Sequence, residues 1–118
     1  MRKNEFVKDT IRSILKMAIS EDNKKSSDCL TVNSAIELYL ENQDVAEKIK
    51  LNFSKTEKII FELLEFGQNS GEISKHIDIE KLSQFILNSF VGLRVLTQTT
   101  NDKNKLKNIL VMTLSILD

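Results

Sequence analysis

The segment from Asp78 to Asp118 carries more apolar surface than one layer of contacts can cover. Ile79, Leu82, Phe85, Ile86, Phe90, Leu93 and Leu96 recur at helical spacing on one broad stripe. Leu87, Val91 and Val95 make a second stripe at i, i+4, i+8, well away from the first. One stripe can close the core of a small domain; the other needs a different surface. Gly92 lies opposite much of the main stripe, with Asn88 one turn earlier. A glycine there costs the helix roughly 1 kcal/mol against alanine, but it lets a neighbouring backbone come close. The following segment, with Leu106, Ile109, Leu110, Val111, Met112, Leu114, Ile116 and Leu117, is again apolar around much of its circumference. Two such helices in succession are expected to meet their own copy across a two-fold axis. The interface predicted within residues 79–117 comprises Leu87, Val91, Gly92, Val95, Leu106, Leu110, Thr113 and Leu117. The competing reading makes them the central helices of a monomeric bundle.

A chain of 118 residues is one domain, and it can bury roughly 65% of its unfolded surface without staples. It has no proline and three glycines, which permits long helices and argues against a turn-rich β architecture. Seventeen basic and seventeen acidic residues cancel, so no net field draws the chain to nucleic acid or anionic lipid. The single cysteine, Cys29, excludes an internal disulfide. No apolar run approaches the ~20 residues that span a bilayer, and Met1 to Ile19 is amphipathic rather than signal-like. A cytoplasmic location with no membrane partner is the resulting expectation.

In chain order, Asn4 is the candidate cap of a first helix running to about Ile19, with Phe6, Val7, Ile11, Ile14, Leu15, Ala18 and Ile19 on one side. Ser20 to Asp28 lacks large apolar residues and reads as a loop. Cys29 to Leu40 reads as a shorter helix. Asp44 is expected to cap a long helix, with Glu47 at its N3 position and Ala46, Ile49, Phe53, Ile60, Leu63 and Leu64 as its apolar face. Gly71 ends that helix in the left-handed conformation that helix C-termini favour. Asp78 caps the next, flanked by Ile77 and Leu82 as a hydrophobic staple, and Asn101 or Asp102 starts the last. The expected architecture is therefore an all-α bundle of five helices.

No catalytic set emerges. His76 has no second histidine and no cysteine near it in sequence, so a metal site is not expected. Cys29 lacks an evident base, and there is no phosphate loop following a strand. The short clusters Lys24–Lys25 and Lys103, Lys105, Lys107 are interleaved with acids and asparagine, and no recognition helix with its turn accompanies them. The expectation is a protein that is not an enzyme and needs no cofactor. A cavity between helices remains as a site for a small molecule. Its candidate lining is Asn33, Glu37 and Tyr39 on the second helix, Phe53, Thr56 and Phe61 on the third, and Asn88 and Arg94 on the fourth. A lining containing Phe53, Phe61 and Arg94 suits a hydrophobic or aromatic ligand with an anionic group.

The run Asp28-Cys29-Leu30-Thr31-Val32-Asn33-Ser34-Ala35-Ile36-Glu37-Leu38 resembles the "GCLLVNSALEL" segment of TetR/AcrR-family transcriptional regulators. Phe66-Gly67-Gln68-Asn69-Ser70-Gly71-Glu72-Ile73 is similar to that family's "GQ-x-x-GEI" helix end. Asp78-Ile79-Glu80-Lys81-Leu82 follows "D-P-E-x-L", and Val91-Gly92-Leu93-Arg94-Val95-Leu96 follows "Q-G-L-x-V-L-A". Asp28 stands where the family pattern has glycine, and Ile79 where it has proline. The resemblance covers roughly residues 4–118. It implies an all-helical C-terminal domain that binds an inducer and dimerises through its last two long helices. The family's N-terminal DNA-binding module has no counterpart before Asn4, so the chain as given is expected not to bind an operator. The alternative is a stand-alone helical dimerisation or interaction protein without a ligand.

Overall fold

The computed structural model describes residues 5–20 and 43–118. Among the described residues the chain forms four helices and no strand: α1 (Phe6–Ala18), α2 (Gln43–Ser70), α3 (Ile79–Thr99) and α4 (Lys103–Ser115). The expected helix at 29–40, all but Ser20 of the expected loop at 20–28, and Asn4 lie outside the described residues.

Local signals set most helix ends. The Asp78 carboxylate accepts the N–H groups of Glu80 at 3.1 Å and Lys81 at 3.2 Å, starting α3. Asp102 does the same for Lys105 at 3.0 Å and starts α4. Gly71 closes α2 with φ of +85°, a conformation that would strain any residue carrying a Cβ. One boundary differs from the sequence expectation. Because α2 already begins at Gln43, Asp44 sits in its first turn rather than at its cap, where a negative charge still favours the helix dipole.

The helix α3 is the axis of the bundle, packed against α1, α2 and α4. Leu82, Ser83, Ile86, Leu93 and Thr97 form its buried side. Val7, Ile11, Leu15 and Ala18 give α1 its buried stripe, and Ile60 and Leu64 do so for α2. The N-terminus of α1 meets residues just ahead of α3, and its other end meets Thr97, whose hydroxyl donates to the Ala18 carbonyl at 3.5 Å. The two helices therefore run parallel, with α2 and α4 antiparallel to them.

Several apolar residues expected inside face outward. Phe6 is exposed, because the true buried stripe of α1 is centred on Val7 and Ile11, with the ring set edge-on against Phe66 at a centroid distance of 5.8 Å. Phe53 is exposed, since the core contacts of α2 are made further along, at Ile60 and Leu64. The side chains of Ala46 and Ile49 are outside the described set. The pair Ile77 and Leu82 does flank the Asp78 cap, half-buried and buried respectively, against one core.

Gly67 in the last turn of α2 and Gly71 just after it are held for different reasons. A Cβ on Gly67 would meet Ile73 Cδ1 at 2.7 Å, Ile73 Cγ1 at 2.9 Å and Val7 Cγ2 at 3.3 Å, whereas Gly71 has open space but positive φ. Gly67→Ala and Gly71→Ala should each lower stability by about 1–2 kcal/mol in denaturant melts. Ile73→Val, which removes the nearest clashing methyl, should recover part of the first loss and none of the second. Equal rescue of both would contradict the packing explanation.

Candidate functional site

The residues expected to line a ligand cavity do not converge as a set. Asn33, Glu37 and Tyr39 lie outside the described residues. Phe61 lines an open cleft of about 330 Å³ between α2 and the start of α3, together with Ser54, Glu57, Lys58, Glu80 and Ser83. Phe53 is exposed on α2, and the Thr56 hydroxyl is spent on the Asn52 carbonyl at 3.1 Å. Asn88 points outward from α3. Arg94 is half-buried, its guanidinium carbon 5.7 Å from the centre of the Phe90 ring, a cation–π distance. Its Nε is shielded from solvent and has no hydrogen-bond partner among the described residues. Among the described residues no three His, Cys, Asp or Glu side chains group to hold a metal ion, and His76 is exposed. No described helix is long and apolar enough to cross a membrane.

Sequence reasoning missed what the 66–73 segment does beyond ending a helix. α1 starts at Glu5 without a side-chain cap of its own. Its orphan N–H groups are instead met by Glu72: Val7 donates to Oε1 at 3.0 Å and Lys8 to Oε2 at 2.9 Å. One carboxylate thus serves the two positions that a local cap normally serves singly, at the positive end of the helix dipole. Glu72 is buried, and those bonds are what compensate its lost hydration. Its neighbours hold it there. Gln68 Nε2 donates to the carbonyls of Ser74 at 3.1 Å and Ile77 at 2.9 Å, tying down the connection. Ile73 fills the core beside Gly67 and donates its N–H to the Gly67 carbonyl at 3.0 Å. From the other side, the Lys8 ammonium pairs with the Asp118 carboxylate beyond α4. Only the spacing of glycines, glutamine and glutamate in 67–72 signalled this in sequence, and it did not name the partner.

The outer side of α3 and α4 is the remaining feature. The Thr113 hydroxyl lies 3.3 Å from the Ser89 hydroxyl and places the two helices side by side. Phe85 and Gly92 sit one turn either side of Ser89, and Ile109 and Ile116 one turn either side of Thr113. Phe85 is 44% exposed, Ile116 42% and Met112 70%. Gly92 is exposed, and a Cβ there would meet nothing within 4 Å. Leu87, Val91 and Val95 are half-buried, with Leu87 against the core. The expected interface positions on α4 require correction. Leu106, Leu110, Thr113 and Leu117 are buried within the single chain, and the exposed side of α4 carries Met112 and Ile116.

Residues 7–112 match the family described as "Tetracyclin repressor-like, C-terminal domain". The chain is also 25% identical, over 115 residues, to the uncharacterized HTH-type transcriptional regulator YezE of Bacillus subtilis (strain 168). That similarity covers 95% of this chain and 59% of the regulator, so the chain spans less than two thirds of its relative's length. No solved structure matches it.

An arginine Nε kept from solvent without a hydrogen-bond partner among the described residues costs stability. Arg94→Met, which keeps the apolar stem, should therefore leave the thermal midpoint unchanged or raise stability by about 1 kcal/mol. A loss of comparable size would mean that the contact with the Phe90 ring outweighs the cost of the unpaired Nε.

Proposed function

From the premise that this chain belongs to the tetracyclin repressor-like C-terminal domain family, we propose that it is the effector-sensing and homodimerising domain of a transcriptional regulator. It acts in the cytoplasm, and the DNA-binding heads it controls belong to regulator sequence outside the matched stretch. The observation that carries self-association is the outer side of α3 and α4. Phe85, Met112 and Ile116 are exposed there around a glycine that the single chain does not need. A mid-helix glycine with open space costs roughly 1 kcal/mol against alanine, and the close approach of a second backbone would account for it. The two copies would meet through the same patch, as a two-fold interface requires.

Effector sensing is supported by Arg94. A cationic group without a hydrogen-bond partner at Nε, set against an aromatic ring in an apolar helix, suits the carboxylate of an otherwise hydrophobic ligand. Binding would act on DNA only as far as the ligand prefers one arrangement of the bundle over another. A domain of this kind has no catalytic task. The other reading, a dimerising protein without a ligand, differs only in this half of the proposal.

The two halves separate experimentally. Gly92→Ala should stabilise the isolated fold yet weaken the dimer, so its thermal midpoint should exceed that of the unchanged chain at low protein concentration and fall below it at high concentration. A uniform increase at all concentrations would remove the interface from Gly92. Aromatic and aliphatic monocarboxylic acids, screened by thermal shift, should include compounds that stabilise the chain and lose that effect in Arg94→Met. At a concentration of 100 times Kd the stabilisation should be about 2.7 kcal/mol. No stabilising acid would leave dimerisation alone.

A further inference from the structure

The start of α1 is held by groups distant in sequence rather than by its own cap. Glu72 receives the N–H groups of Val7 and Lys8, and no residue of α1 substitutes for it. Glu72 belongs to the connection between α2 and α3, which is itself stiffened by Gln68 and by Ile73 lodged against Gly67 and Val7. We infer that the Glu72 carboxylate is a coupling joint, which makes the first turn of α1 follow the α2–α3 connection and so delivers displacements of α3 to the chain entering α1 at Glu5. The inference rests on the sensing role proposed above for its purpose, but not for its test.

The geometry explains why this contact transmits rather than only stabilises. A carboxylate receiving two adjacent backbone N–H groups through its two oxygens fixes direction as well as distance. Val7, next to the joint, is fully buried and Ile73 nearly so, so the first turn cannot slide without repacking both. At its far end α1 is tied to α3 by the 3.5 Å contact from Thr97 to Ala18, a single longer hydrogen bond. α1 also packs along α3 through Ile11, Leu15 and Ala18, and Glu72 adds to that seam a directional link between the first turn of α1 and the α2–α3 connection. The open cleft at Ser54, Phe61 and Ser83 lies between α2 and α3, where an inserted group would shift α2 against α3.

Ser83→Phe places a ring at that cleft as a tethered occupant, and the amide resonances of Val7 and Lys8 report on the joint. In the otherwise unchanged chain Ser83→Phe should move both resonances. In a Glu72→Gln background, where one oxygen becomes a donor, the response should vanish, and exchange of the Val7 and Lys8 amides should speed up by about tenfold or more while α3 stays protected. Should Ser83→Phe fail to fold, Ser83→Val supplies a smaller wedge. Should Glu72→Gln fail, Glu72→Asp keeps the charge but shortens the reach and should blunt the response in the same way. Equal responses with and without the Glu72 carboxylate, or no response in the unchanged chain, would overturn the coupling role. Because no effector is added, a failed effector search and a failed joint are separate results.

Discussion

Everything in this fold depends on covering one helix. α3 is a 21-residue helix with apolar groups around most of its circumference, and no single neighbour can hide it. α1 lies along it in parallel, and α2 and α4 flank it on the two sides. The hydrophobic core is the seam between these four, with Ile86 and Leu93 of α3 at its centre. What the neighbours leave open is a strip through Phe85 and Gly92, continued on α4 by Met112 and Ile116. The family match places that strip on a tetracyclin repressor-like C-terminal domain.

The same arrangement explains where the polar chemistry sits. A buried carboxylate is tolerable only where donors are fixed around it, and the uncapped start of α1 supplies them to Glu72. Arg94 presents the opposite case, a guanidinium whose Nε has no donor–acceptor partner. One buried ionic group is satisfied and holds two segments together. Arg94 is only half-buried, lies against the Phe90 ring and leaves its Nε unpaired among the described residues.

Local chemistry was legible in the sequence, and distant chemistry was not. The caps at Asp78 and Asp102 and the left-handed Gly71 are decided by residues within one turn, and the sequence pattern located Asp78 and Gly71 and narrowed the remaining one to Asn101 or Asp102. The cap of α1 comes from 65 positions away, so no spacing rule points to it. The residues of α4 expected to face outward turn inward for a related reason. A helix apolar all round has no phase to read, and only the packing against α3 decides that Leu106, Leu110 and Leu117 turn inward while Met112 turns out. Asn88 and Arg94 stood out correctly as polar breaks in an apolar helix, yet they face different surroundings, which periodicity alone did not separate.

The central claim is that one copy cannot finish the cover of its own α3–α4 pair. Sedimentation equilibrium of the unmodified chain at micromolar concentration tests it most directly. A dimer should give twice the 13.5 kDa mass of the chain, with Phe85 and Met112 protected from solvent labelling. A mass of 13.5 kDa at every concentration, with Met112 freely oxidised, would contradict it.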